Sequence, residues 1–201
     1  MSTRGTYNIN GFMFYVHYDN YEEGAAGYFV DMIDDYVRTQ RGMQNSFVRA
    51  NQYAEMTNED KEAYGDTEYH YDITRKDKGE YELIVSHREW GEGWRVIHNG
   101  MLTDFINKHS DVKAFVFNKQ IHTVNSFIEV IKGIAKDCNK TNKRDVHPNY
   151  YMNKLKEVSE MSKFVKNKEI AFGDNIVMLL TAIKDWLDAK LESMELNSRA
   201  A

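Results

Sequence analysis

Before residue 118 the apolar positions recur mainly with a period of two, and after it they recur every three or four residues. The first pattern predicts strands and the second predicts helices. Residues 6–9 and 12–18 are rich in Tyr, Phe, Ile and Val and flank Asn10-Gly11, a pair suited to the positive backbone angles of a two-residue turn, so they predict a hairpin. From Glu22 to Thr39 the spacing changes. Phe29, Ile33, Tyr36 and Val37 share one helical face, Glu22 and Glu23 stand in the first turn, and Asp31, Asp34 and Asp35 are expected to face water.

Residues 43–66 carry a weaker signal. A short helix is expected around Phe47, Val48 and Tyr53, with a second helix start at Thr57. Tyr69, Tyr71 and Ile73, then Tyr81, Leu83 and Val85, alternate on either side of Asp77-Lys78-Gly79 and predict a second hairpin. Residues 94–98 extend this meander, Asn99-Gly100 precedes a short helix carrying Leu102, Phe105 and Ile106, and residues 113–117 form another strand. Thr123 caps a helix with Phe127, Ile128, Ile131, Ile134 and Ala135 on its apolar stripe. Residues 139–145 read as a polar linker, and Pro148 precedes helices at about 149–167 and 174–194, the last with Asp174 as its cap.

These elements make an α+β fold, with a mixed or mainly antiparallel sheet packed by helices and a helical C-terminal part. The domain division expected is 1–138 for the α+β domain and 139–201 for a helical extension. The core is assigned to Phe29, Ile33, Leu83, Val85, Phe115, Phe127, Ile131, Leu179, Ile183 and Leu187.

Composition narrows the class. With 42% hydrophobic and 13% aromatic residues in a chain of 201, a packed core is attainable and wholesale disorder is excluded. A single cysteine, Cys138, forms no internal disulfide and fits a reducing compartment. No apolar run reaches the length of a membrane span, so a cytoplasmic protein is expected. Residues 1–110 hold 11 Lys/Arg against 19 Asp/Glu, and the remainder 15 against 12. The acidic half disfavours nonspecific nucleic-acid binding. The basic stretches 140–144 and 163–168 read first as solvated flanks, without a nucleic-acid recognition motif.

The densest chemistry lies in Arg4 together with the run from His17 to Gly24, at a strand-to-helix junction. Here His17 would act as a base, Asp19 would orient it, Arg4 would clamp an anion, and Glu23 would complete a polar pocket, but the sequence defines no nucleophile. A structural reading of the same residues, as hydrogen-bonding partners of the turn, stands beside this one. His17 and Asp19 supply two metal ligands at most, so no metal and no cofactor are expected. Trp90 and Trp94, separated by Gly-Glu-Gly, form either an aromatic clamp or anchors of a sheet turn.

The opening Ser2-Thr3-Arg4-Gly5, a strand, and then His17-Tyr18-Asp19-Asn20-Tyr21-Glu22-Glu23-Gly24 resemble a group of phage and mobile-element proteins. These begin with Ala/Ser-Thr-Arg and continue to His-Trp-Asp-Gly-Tyr-Pro-Glu-Gly. The order matches at His17, Asp19, Tyr21, Glu23 and Gly24, while Tyr18, Asn20 and Glu22 replace Trp, Gly and Pro; the likeness covers about the first 30 residues. It implies a bacterial-host setting and carries no established activity. The expectation is a host-interaction protein that binds a host protein or macromolecular complex, with counter-defence as its role. Its partner-binding residues are Arg4, His17, Asp19, Tyr21, Glu23, Trp90 and Trp94. The alternatives are a small hydrolase or nucleotide-processing enzyme built on Arg4, His17, Asp19 and Glu23, and a self-associating protein using its terminal helices.

Overall fold

The computed structural model describes residues 3–59, 61–89, 91–141, 146–167 and 172–200. Trp90, Ser2 and much of the two basic stretches (142–144 and Lys168) lie outside them. The fold is α+β. Its strands are β1 (Gly5–Ile9), β2 (Phe12–Val16), β3 (Ala54–Thr57), β4 (Tyr69–Arg75), β5 (Tyr81–His87), β6 (Arg95–Met101), β7 (Ala114–Phe117) and β8 (Gln120–Thr123). The helices are α1 (Glu22–Thr39), α2 (Met43–Ala50), α3 (Leu102–His109), α4 (Val124–Thr141), α5 (Pro148–Asn167) and α6 (Asp174–Ala200). The chain divides into two units, Met1–Ser126 and Phe127–Ala201, the division falling in the first turn of α4.

In the first unit a six-stranded sheet runs in the order β3-β2-β1-β4-β5-β6. Every neighbouring pair is antiparallel except β1 and β4, which are parallel. The turn between β1 and β2 is the expected one: Asn10 and Gly11 have φ of 52° and 89°. Asn10 also ties the hairpin tip to β4, since its side-chain oxygen accepts the Arg75 amide at 3.0 Å.

Because successive side chains alternate across a strand, Tyr7, Ile9, Phe14, Tyr71, Ile73, Leu83 and Val85 fall on one face, where all are fully buried. Phe29 of α1, Phe47 of α2 and Phe105 of α3 close over that face. Phe47 lies 4.8 Å from the Tyr7 ring, and Phe29 and Phe105 meet Tyr71 edge-on at 5.7 and 6.1 Å. Helix α1 ends at Gln40, whose left-handed φ of 56° lets its amide bond the Tyr36 carbonyl.

Four expectations need correction, and one strand, β8, was not foreseen. Asp35, on α1, is 6% exposed rather than solvated; it bonds Arg38 at 2.6 Å and Arg49 at 3.3 Å, cations that compensate the buried carboxylate. Residues 54–57 form strand β3 at the sheet edge, and 61–66 are turns, so no helix starts at Thr57. Strand β6 runs on through Asn99 and Gly100 to Met101, past the expected end at His98. Residues 120–123 form β8, paired with β7 in a separate two-stranded sheet. Residues 139–141, expected in the linker, continue α4, while 142–145 lie outside the described residues.

The β7–β8 turn uses Asn118 and Lys119 at φ of 49° and 61°. It rests on Gly79, where a Cβ would come within 1.8 Å of the Lys119 carbonyl oxygen. Thr123 caps α4 as expected. Its hydroxyl accepts the Ser126 amide at 3.0 Å while the Ser126 hydroxyl accepts the Thr123 amide at 2.9 Å, and Thr123 donates to Asp34 of α1.

The second unit is helical. Its α5 begins with Pro148 in the first turn, where the missing amide costs nothing. Ser162 and Val165 near the end of α5 meet Val177 and Thr181 near the start of α6, and Tyr151 at the other end meets Trp186 at 6.0 Å, so the pair is antiparallel. Phe127, Phe164 and Phe172 cluster with ring centroids 5.6 to 6.3 Å apart. All the assigned core residues are buried except Leu179, which is half-buried beside the buried Leu180.

Candidate functional site

One row of paired residues crosses the whole sheet: Ala54, Val16, Gly5, Tyr69, His87 and Arg95. The residues immediately beyond that row are Tyr53, His17, Arg4, Glu68, Arg88 and Trp94, drawn from segments far apart in sequence. The register therefore gathers the candidate residues at one end of the sheet. Six strands at about 4.8 Å spacing make that end roughly 24 Å wide, a surface and not a single pocket.

At its centre, backbone bonding continues one step past the strands: the Glu68 amide bonds the Arg4 carbonyl at 3.0 Å and the Arg88 amide bonds the Glu68 carbonyl at 2.8 Å. Arg4 pairs with Asp66 at 2.5 Å, and Asp66 also accepts the Tyr15 hydroxyl at 3.2 Å. Burial, then the Asp66 carboxylate, pushes the Tyr15 phenol up to about 12. Tyr15 stacks on Tyr64 at 4.6 Å and meets the His17 ring edge-on at 4.7 Å; His17 stands 3.5 Å from Glu55.

A cleft of about 930 Å³ opens beside this cluster, lined by Arg4, residues 65–68, His87, Arg88, Glu89, Gly91 and Glu92. Its two arginines are engaged within the chain. Arg88 donates to the Tyr64 and Thr67 carbonyls, both at 2.9 Å, and covers the Trp94 ring at 4.7 Å, with Lys61 at 5.4 Å from the same ring. Trp94 thus anchors the β5–β6 connection with its ring held against the chain's own cations. Thr67, the one hydroxyl among the described lining residues, donates to the Tyr64 carbonyl at 3.0 Å. The carboxylates of Glu68, Glu89 and Glu92 leave the cleft acidic.

The His17–Gly24 junction is held by a residue that sequence reading passed over. Asn20 is fully buried. Its side-chain oxygen accepts the Tyr7 hydroxyl at 2.7 Å, and its amide nitrogen lies 2.8, 2.9 and 2.8 Å from the carbonyls of Thr3, Val16 and Tyr18. Its own carbonyl accepts the Tyr71 hydroxyl at 2.7 Å. Two facing glycines make room: a Cβ on Gly5 would sit 2.8 Å from Asn20, and one on Gly24 would sit 2.0 Å from the Asp19 carbonyl oxygen. The signal was the polar residue itself, Asn where the resembling group has Gly, at a chain reversal whose carbonyls need a donor.

With Asn20 as the plug, its neighbours turn outward. Asp19 takes a left-handed φ of 53° and is exposed, as is Glu23 in the first turn of α1. Tyr18, Tyr21 and Tyr53 are 51%, 43% and 49% exposed. The structure therefore places Arg4, His17, Asp19, Tyr21, Glu23 and Trp94 at the same end of the sheet but in different surroundings: Arg4 on Asp66, His17 between Tyr15 and Glu55, Asp19 and Glu23 at the solvent, and Trp94 under Arg88. Trp90 lies outside the described residues.

Among the described residues no group of three or more His, Cys, Asp or Glu side chains is placed to hold a metal ion, and no helix is long and apolar enough to cross a membrane. Comparison with known proteins found no match to a family model, a curated protein or a solved structure.

Proposed function

We propose that this chain is a recognition protein that binds a host macromolecule through the loop end of its six-stranded sheet. The carrying observation is the set of half-exposed tyrosines, Tyr18, Tyr21 and Tyr53, at a junction where the buried Asn20 bonds the Tyr18 carbonyl and the buried Asn51 accepts the Tyr53 amide. Tyrosine supplies large contact area with few rotatable bonds, so rings held this way lose little entropy on binding. The resemblance of the opening and of the His17–Gly24 segment to phage and mobile-element proteins supports a bacterial cytoplasm as the setting and interference with a host defence system as the role.

The test is affinity capture from a bacterial lysate with the full chain and with His17→Ala, Asp19→Ala and Tyr21→Ala. The expected result is one stable partner held by the parent chain and weakened in variants whose circular dichroism and thermal melt match it. Undiminished capture by all three folded variants would remove the junction from the binding surface. His17, Asp19 and Glu23 do not line the cleft beside Arg4, so an enzymatic alternative would draw instead on Arg4 and His87, which do. Hydrolysis of a nucleotide or ester by the parent chain, abolished by His87→Ala, would favour it.

A further inference from the structure

Two segments distant in sequence bring tyrosines together at the β2–α1 junction. The rings of Tyr18 and Tyr53 lie 5.5 Å apart with planes at 74°, an edge-to-face corner whose two residues are each about half exposed. Both are held from behind. The Tyr28 hydroxyl of α1 bonds the Tyr18 carbonyl at 3.0 Å, and the Tyr53 amide bonds the side chain of the buried Asn51 at 3.1 Å. The Tyr28 phenol is pushed up by its burial, then by Asp19, Tyr21 and Tyr53, so these groups converge around it. Asp19 is exposed beside the corner, its backbone fixed at the positive φ that turns the chain into α1.

A corner of electron-rich faces with a carboxylate at its side is complementary to a cation. The ring quadrupole attracts the charge over each face while the carboxylate pairs with it. The charge of the first 110 residues as a whole acts in the same direction, with 19 acidic against 11 basic side chains. A guanidinium fits better than an ammonium, because its plane stacks on one ring while its N–H fork reaches a carboxylate. Resting on the recognition reading above, we infer that the Tyr18–Tyr53 corner with Asp19 receives an arginine side chain from a basic segment of the partner protein.

The probes are hexa-arginine, hexa-lysine and hexa-glutamate peptides, titrated calorimetrically against the full chain and against Tyr18→Ala, Tyr53→Ala, Tyr18→Phe and Asp19→Asn. Circular dichroism confirms that each variant is folded. Hexa-arginine is expected to bind more tightly than hexa-lysine, and hexa-glutamate not at all. Each ring deletion weakens hexa-arginine about three- to fivefold, as expected for a partly exposed cation–π contact, whereas Tyr18→Phe, which keeps the face, binds as the parent does. Asp19→Asn weakens binding and flattens its salt dependence. Equal binding of the two basic peptides, unchanged by either ring deletion, would mean simple attraction to an acidic surface and would overturn the inference. Failure of hexa-arginine to bind the parent chain would overturn it too. The recognition reading would survive that failure if a captured partner were still lost on Tyr21→Ala.

Discussion

Replacing Asn20 by alanine tests the account of the junction directly. The substitution removes the acceptor of the Tyr7 hydroxyl and the donor shared by the Thr3, Val16 and Tyr18 carbonyls. Two of these four groups lie deep: Tyr7 is fully buried, and so is Val16. A buried polar group left unpaired costs about 1 to 3 kcal/mol, so these two together cost about 4 kcal/mol. The Thr3 and Tyr18 carbonyls, nearer the surface, regain water and add little. Urea unfolding followed by tryptophan fluorescence measures the loss from the midpoint at constant slope. Asn20→Asp is the sharper companion because it keeps the shape and turns the donor nitrogen into an oxygen facing three carbonyls. Protonation restores a donor, so the carboxyl's folded pKa is raised above its ordinary value; the stability of this variant should fall as pH rises from the ordinary value to the raised one, level off above it, and recover as pH falls back across the same interval. A loss below about 1 kcal/mol in both variants at pH 7, half or less of what one such site should cost, would refute the hub.

Burial pushes the His122 imidazole down to about 4. Its contribution is whole above the ordinary value of about 6.5 and is lost as pH falls from there to about 4, some 3 kcal/mol in all; urea midpoints across that range should show this slope and flatten in His122→Phe. Gly79→Ala should destabilise by about 1 to 3 kcal/mol, because the new methyl meets the Lys119 carbonyl at a positive φ, whereas Gly133→Ala, in the open on α4, should stabilise by about 0.4 to 1 kcal/mol; thermal melts compare the two. Phe29→Ala should cost about 3 to 5 kcal/mol by denaturant titration, and the half-buried Leu179→Ala clearly less.

Strong local chemistry was readable from the chain alone. Asn10-Gly11 announced the first hairpin, and the Glu22–Thr39 helix declared both ends through its acidic start and the loss of apolar spacing. What escaped depended on partners distant in sequence. Strand β3 alternates over only four residues, Ala-Glu-Met-Thr, too short a run to announce itself, and it is paired along residues 13–16 of β2. Asp35 looked solvated because Arg49, fourteen residues away, is what makes its burial tolerable. Strand β8 was hidden by a turn of Asn118-Lys119, which takes left-handed angles without a glycine to signal them. At the candidate site, the individual residues from Arg4 to Trp94 were visible, but their common end of the sheet follows only from the strand register, and the weight carried by Asn20 only from the carbonyls folded around it.

The parallel pairing of β1 with β4 bears on synthesis as well as on architecture. Strand β1, made before its partner β4, is interior, joining β2 and β3 on one side to β4, β5 and β6 on the other. Gly5 waits for Tyr69, and at about 5 to 20 residues per second that interval lasts roughly 3 to 13 s. Throughout it the β1–β2 hairpin offers a free edge, and the sequence Gly-Thr-Tyr-Asn-Ile along that edge contains no charge to repel a neighbour. A ribosome stalled between the two strands would hold out an adhesive ribbon, so the tempo of translation through residues 20 to 69 governs how much of the chain reaches its sheet before finding another.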